Sequence, residues 1–245
     1  MDRMSETTKT ALVTGANKGI GLAIARGLAD LGFTVAVGAR DEARGAAAAE
    51  SLRAEGARAF AVALDVTSEE SVAAAARTVA EKAGRLDVLV NNARISGSTE
   101  EGAQDPVTLD LDVVRAVLDT NVFGVVRVTN ALLPLLPLLR RARSPRIVNV
   151  SSTMGSLTLR TGPVLAAYGP SKTMLNALTT QYARRLADTP VLVNACCPGW
   201  VATDFTGHEP DRTPAEGAAI ALRLATLPDD GPRGGFFDDG GVVPW

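Results

Sequence analysis

Tyr168-Gly-Pro-Ser-Lys172 places a phenol and an ammonium four residues apart, hence on one face of a helix. A phenol of pKa about 10 is a poor acid–base catalyst at neutral pH unless a nearby positive charge stabilises the phenolate. Lys172 can supply that charge, and Tyr168 can then give a proton to a forming alkoxide. Upstream, Asn149-Val150-Ser151-Ser152 ends an apolar run with two hydroxyls, well placed to hydrogen-bond a substrate oxygen. Neighbouring residues of a strand face opposite ways, so only one of the two serines is expected in the site. Asn121, in Leu118-Asp-Thr-Asn-Val-Phe-Gly124, falls inside a helical stretch where asparagine is not favoured. It is either a site residue or an exposed helical asparagine.

A second constellation opens the chain. An apolar run leads into Thr14-Gly15-Ala16-Asn17-Lys18-Gly19-Ile20-Gly21 and at once into a helical segment. Glycines there let the backbone turn sharply and approach a pyrophosphate, while the helix N-terminus supplies amide donors and partial positive charge. Between a first strand and a first helix, such a loop points to a dinucleotide. The second apolar run ends in Gly38-Ala39-Arg40-Asp41. An acidic side chain there suits the ribose 2′-hydroxyl of NAD, whereas arginine accommodates the 2′-phosphate of NADP. Arg40 comes first, Lys18 can add a second cation, and Asp41-Glu42 reads as a helix cap and first turn. The expected cofactor is NADPH/NADP+.

The elements that must hold these residues alternate. Candidate strands are Ala11–Thr14, Thr34–Gly38, Ala59–Leu64, Val88–Val90, Ile147–Val150 and Val191–Cys196, nearly continuous in Val, Leu, Ile and Ala. Such runs suit parallel strands buried on both faces. Candidate helices span roughly 18–31, 41–55, 68–83, 110–133, 168–187 and 213–226, with Ser68 and Thr213-Pro214 as starts. The alternation predicts α/β architecture: a Rossmann-like doubly wound parallel β-sheet with helices on both faces. Residues 1–245 read as one domain, with substrate loops at roughly 94–109, 153–167 and 200–213.

Composition narrows the function. A net charge of -2 without a basic cluster, and only 4% aromatics, argue against nucleic acid as a partner. The adjacent Cys196 and Cys197 cannot form an ordinary disulfide with each other and read as inert apolar residues, which suits a cytoplasmic protein. His208 is the sole histidine, so no His-rich metal site is expected and no metal is assigned. The chain opens on a polar segment, and its most lipid-like stretch, Ala131 to Leu139, is short and broken by Pro134 and Pro137. A spanning helix needs about 20 apolar residues, so no membrane partner is expected.

The glycine spacing Gly-x-x-x-Gly-x-Gly, with Thr in front and Ile between the last two, resembles the short-chain dehydrogenase/reductase family. The resemblance continues in order through Leu64-Asp65-Val66, Asn91-Asn92-Ala93, Asn121, Ser152, Tyr168, Lys172 and Pro198-Gly199, along nearly the whole chain. It implies that Ser152 orients a carbonyl, that Tyr168 donates the proton, and that Lys172 binds the nicotinamide ribose and lowers the tyrosine's pKa. Asn121 would hold a proton-relay water. Asp65, Val66 and Asn92 would lie by the adenosine, while Val201 and Thr203, just past Pro198-Gly199, would meet the nicotinamide amide. Gly15, Asn17, Lys18, Gly19, Ile20 and Gly21 would cradle the phosphates. Closer still is the carbonyl-reductase branch, in Gly-Ala-Asn-Lys-Gly-Ile-Gly, Ala-Arg-Asp, Ala195-Cys-Cys-Pro-Gly-Trp-Val201 and Trp245. That branch reduces aldehydes and ketones with NADPH.

There are two departures. Arg94 stands where Asn-Asn-Ala-Gly has glycine, and the segment from Ser152 to Tyr168 is far shorter than the insertion of animal carbonyl reductases. For Arg94 we expect negative φ and a side chain turned outward to the pocket's edge. The expected activity is hydride transfer from NADPH to a fairly apolar aldehyde or ketone. Leu157, Leu159, Val164, Trp200 and Phe205 would rim the pocket. The alternatives are a ketoreductase acting on carrier-linked acyl or polyketide chains, and a non-catalytic NADPH-binding regulator. Helices 110–133 and 168–187 are candidates for a dimer or tetramer face.

Overall fold

The computed structural model describes residues 8–97, 100, 103–133, 145–209 and 212–245, the side chain of Phe205 excepted. Eight strands form one sheet in the order β3-β2-β1-β4-β5-β6-β7-β8. They are β1 (Thr10–Thr14), β2 (Thr34–Ala39), β3 (Ala59–Ala63), β4 (Val88–Asn91), β5 (Arg146–Val150), β6 (Leu192–Cys196), β7 (Phe236–Asp238) and β8 (Gly241–Val242). All pairings from β3 to β7 are parallel. The strand order reverses between β1 and β4, so a crevice opens there at the strands' carboxyl ends.

Burial explains why the strands are so uniformly apolar. Along each strand alternate side chains enter opposite cores. Val13, Val37, Val90 and Val148 face α1 (Gly19–Asp30), α2 (Glu42–Ala54) and α7 (Pro214–Ala225). Leu12, Ala36, Leu89 and Ile147 face α3 (Glu69–Ala83), α5 (Gly124–Leu132) and α6 (Tyr168–Arg185). The expected helix starts are present. Asp41, Ser68 and Thr213 accept hydrogen bonds from the third residue of α2, α3 and α7, and Thr213 forms a reciprocal pair with Glu216.

The doubly wound parallel sheet is as expected, with one short addition and one correction. The addition is β8, which runs antiparallel to β7 at one edge. Both strands escape an apolar-run reading, being three and two residues long among glycines. The correction is that 110–133 is not one helix. It is α4 (Leu111–Leu118), a π-turn over Asp119–Phe123, and then α5. The π-turn widens the backbone ring and turns Asn121 inward, where it is buried. Of the lipid-like stretch, residues 134–139 lie outside the described residues. Among the described residues no helix is long and apolar enough to cross a membrane.

One buried cation ties β5 to the far loop. Arg146 is 1% exposed and donates to the carbonyls of Leu227 (2.6 and 3.1 Å) and Pro145 (3.1 Å), and to Asp229 (2.8 Å). Removing it strands those acceptors. Arg146→Leu should therefore cost about 2–4 kcal/mol of unfolding free energy, read from the urea midpoint, with little change in the site at the strands' other ends.

Candidate active site and dinucleotide cleft

The crevice at the β1/β4 reversal is a cleft of about 1220 Å³. Its wall includes Gly15, Asn17, Lys18, Gly19, Ile20 and Gly21 after β1, then Arg40 after β2, and Asp65 and Val66 after β3. Asn92 and Arg94 after β4, Val113, Ala116 and Thr120 from the segment 111–123, and Thr203 after β6 also line it. The glycine loop is built for close approach. Gly15 and Gly19 have φ of 63° and 54°. A Cβ on Gly21 would lie 2.2 Å from the Gly15 carbonyl oxygen. Unlike α2, α3 and α7, α1 has no side-chain cap and no acidic residue in its first turn. Its N-terminal amides are thus left to the cleft, an arrangement that fits a pyrophosphate.

The loop is locked from the β4 side. The Asn92 amide donates to the carbonyls of Thr14 (2.9 Å) and Gly15 (3.1 Å). Thr14 Oγ1 in turn accepts from the backbone N–H groups of Asn92 and Ala93, both at 2.9 Å. Asn92 therefore shapes the loop. Asp65 is turned toward its own neighbours, with Oδ1 accepting from the Thr67 amide (2.9 Å) and hydroxyl (2.7 Å). Burial works to raise its pKa, but these bonds and the charges of Arg40 and Arg127 hold it below the usual value.

The two cations expected at the 2′-phosphate differ. Arg40 is exposed on the cleft wall, with Arg44 beside it. Asp41 caps α2 by accepting from Arg44 N at 3.0 Å, so it does not compete for a ribose. Lys18 is engaged by Asp204 at 2.5 Å, and Asp204 also accepts from His208 at 2.9 Å.

Tyr168 opens α6, and Lys172 follows one turn later with its ammonium 5.6 Å from the ring centroid. Both are buried. Lys172 Nζ donates to Val150 O at 2.9 Å, at the end of β5. Burial, and then the charge of Arg94, lower the Lys172 pKa to about 7. Ser152 and Arg94 are the neighbours that favour ionisation of the Tyr168 hydroxyl. Burial raises its pKa, against the opposing pull of Arg94 and Ser152. Of the two serines, Ser151 turns to Asn176 in the core at 2.5 Å. Asn121 lies close by, but its amide is occupied: Oδ1 accepts from Ile95 N, and Nδ2 donates to Ile95 O and Ser171 Oγ. Its visible work is to clamp the loop that carries Arg94.

Pro198, Gly199 and Val201 follow β6 without lining the cleft. Pro198 O accepts from Arg212, Gly199 has φ 77°, and Val201 is buried beneath α7. As expected, the φ of Arg94 is not positive. Its half-buried side chain lines the cleft, with Nη1 3.5 Å from Asn92 Oδ1. Sequence reading also passed over Thr14, Ser171, Asp204 and Gln104, whose Oε1 accepts from Tyr168 N at 3.1 Å. All act through partners distant in sequence, and only Thr14, next to the glycine loop, carried a local signal.

The chain matches the family model described as short chain dehydrogenase over residues 9–213. It is 35% identical to carbonyl reductase (NADPH) 1 of Bos taurus, over 99% of this chain and 100% of that protein. It is 34% identical to (-)-isopiperitenone reductase of Mentha piperita, covering 96% and 97%. Among solved structures, salutaridine reductase from Papaver somniferum superposes with a TM-score of 0.81 at 30% identity, covering 94% of this chain and 99% of that one. A variant of actinorhodin polyketide ketoreductase with NADPH gives 0.81 at 33%, covering 95% of each.

The glycine cradle makes a direct test. Gly21→Ala forces its methyl group against backbone and the Asn92 amide, at a cost of about 1–3 kcal/mol. NADPH affinity, followed by the cofactor's fluorescence, should fall by roughly tenfold or more while the circular dichroism spectrum is retained.

Proposed function

The chain belongs to the short chain dehydrogenase family, and from that premise we propose that it reduces the carbonyl group of a fairly apolar aldehyde or ketone with NADPH, Tyr168 being the proton donor. It is an NADP-dependent oxidoreductase, in keeping with its carbonyl reductase relatives. The observation that carries the proposal is the meeting of Tyr168, Ser152 and Lys172 at the end of β5, beside a cleft with an open helix N-terminus.

NADPH, when bound, supplies the hydride. The glycine loop and the α1 N-terminus hold its pyrophosphate, Arg40 with Arg44 its 2′-phosphate, and Asp65, Val66 and Asn92 border its adenosine. Lys172 binds the nicotinamide ribose, and Val201 and Thr203 lie toward the amide. Ser152 orients the substrate oxygen by hydrogen bonding, and Tyr168 passes its proton to that oxygen as charge develops there. Lys172, balanced near neutrality, is suited to return a proton to the tyrosine. Asn121, fixed in the π-turn, positions the loop after β4 and would hold a relay water.

Residues 1–245 act as one domain, with substrate loops at roughly 94–109, 153–167 and 200–213. Leu157, Leu159, Val164 and Trp200 are exposed there, which favours an apolar substrate. The likeness to a polyketide ketoreductase favours a second reading, a carbonyl presented on a carrier protein. A regulator without catalysis would have no use for the Ser152–Tyr168–Lys172 cluster. We assign the enzyme to the cytoplasm, where its buried thiols stay reduced, and its dimer or tetramer face to α4, α5 and α6.

Two variants test this reading. Tyr168→Phe keeps the ring but loses the proton, so turnover of an activated ketone should drop by roughly two to four decades with NADPH affinity kept. Near-normal turnover would remove Tyr168 from the mechanism. Arg40→Asp should cut the preference for NADPH over NADH by about one to two decades, and equal use of both cofactors by the unmodified enzyme would refute the 2′-phosphate assignment. A free ketone and its carrier-bound thioester, compared by kcat/KM, separate the two substrate classes.

A further inference from the structure

A proton donor works only where its oxygen meets the substrate, and Tyr168 stands where a helix is least able to hold it. It is the first residue of α6. The N–H groups of a first turn have no partner within their own helix. In α2, α3 and α7 the residue just before the helix supplies a side-chain acceptor. α6 starts from Ala167, which has none to offer. The acceptor comes instead from 64 positions away, where Gln104 Oε1 takes the Tyr168 N–H at 3.1 Å.

Gln104 is itself fixed. It is buried, and its Nε2 donates to Ser96 O at 2.9 Å. Its backbone carbonyl accepts from Ala166 N at 2.9 Å, two residues before the tyrosine. A Cβ on the adjoining Gly97 would lie 3.0 Å from Gln104 Nε2, so the loop lies close against this amide. A second arm reaches the tyrosine's other backbone group. Tyr168 O accepts from Ser171 Oγ at 2.7 Å, and Ser171 Oγ accepts from Asn121 Nδ2 at 3.1 Å. Asn121 in turn holds both backbone groups of Ile95, the neighbour of Ser96. The N–H and the C=O of Tyr168 are thus tied by separate routes to the same two residues of the loop after β4.

We propose that Gln104 is a positioning residue: its carboxamide joins Ser96 to the first turn of α6 and thereby fixes where the Tyr168 hydroxyl stands. Only a group with an acceptor and a donor side by side makes both bonds, which is what a carboxamide has. Gln104 acts through the backbone of Tyr168 and takes no part in the proton transfer. The inference rests on Tyr168 as the acid, and its test includes a reading that needs no turnover.

The chain has two tyrosines, and Tyr182 lies in the interior of the same helix. Protein labelled with nitrogen-15 tyrosine therefore gives two backbone amide signals, assigned with Tyr182→Phe. Gln104→Met keeps the length of the side chain and loses both polar atoms. It should speed hydrogen exchange of the Tyr168 amide by roughly tenfold or more while the Tyr182 amide is unchanged. Gln104→Glu keeps the acceptor and should restore most of that protection. With NADPH and an activated ketone, Gln104→Met should lower kcat by roughly tenfold to a hundredfold and leave the KM for NADPH as it was. In a Tyr168→Phe background the same substitution should change the residual turnover by less than about twofold. Unchanged exchange at Tyr168, a parallel rise at Tyr182, or an equal loss of kcat in both backgrounds would overturn the proposal. Failure of the acid reading shows separately, as near-normal turnover of Tyr168→Phe alone.

Discussion

The site depends on the grip of one asparagine amide on the backbone of another strand's loop. Asn92 donates to Thr14 O and Gly15 O, while the Thr14 hydroxyl accepts from the β4 loop in return. These bonds stitch the loops after β1 and β4 together at the point where the strand order reverses, beyond the end of the ladder that pairs the two strands. Without them the glycine loop has the freedom that its residues invite. With them it has one shape, and the helix behind it presents its free amides in one direction. The α1–α7 packing, through Ile24, Leu28, Ile220 and Leu224, then holds that direction against the sheet.

A second constraint is electrostatic. Burying an ammonium and a phenol side by side disfavours the ionised form of both. The fold meets this at the lysine with a short contact to Val150 O rather than with a carboxylate, while Ser152 and Arg94 oppose the rise in the tyrosine's pKa. A carboxylate there would neutralise the very charge that a phenolate requires. The result is a pair whose titrations lie farther apart in pH than those of the free side chains, the tyrosine raised and the lysine lowered to about 7.

Much of this was legible in sequence wherever a signal was local. Six strands announced themselves because burial on both faces demands unbroken apolar runs, and the Tyr168–Lys172 pair and the glycine loop are short-range spacings. What stayed hidden is long-range. Phe236 and Phe237 form a strand only because β6 lies beside them. The π-turn is a matter of one extra residue in a helical ring, and its trace in the sequence was the misfit of Asn121. The Asp204 partner of Lys18 comes from the segment after β6, 186 positions further along the chain.

That last pair has a thermodynamic consequence. Lys18 cannot serve Asp204 and a cofactor phosphate with the same ammonium in the same geometry. Any anion that draws it into the cleft releases Asp204, and with it the turn through Thr203, Asp204 and His208 that covers the cleft's far lip. The two events share one free energy. An anion in the cleft loosens the lip, and a ligand that pulls the lip away from Lys18 tightens the anion by the same factor. Anion binding at Lys18 and the freedom of that turn are thus coupled through one exposed ion pair, and the coupling is graded by ionic strength.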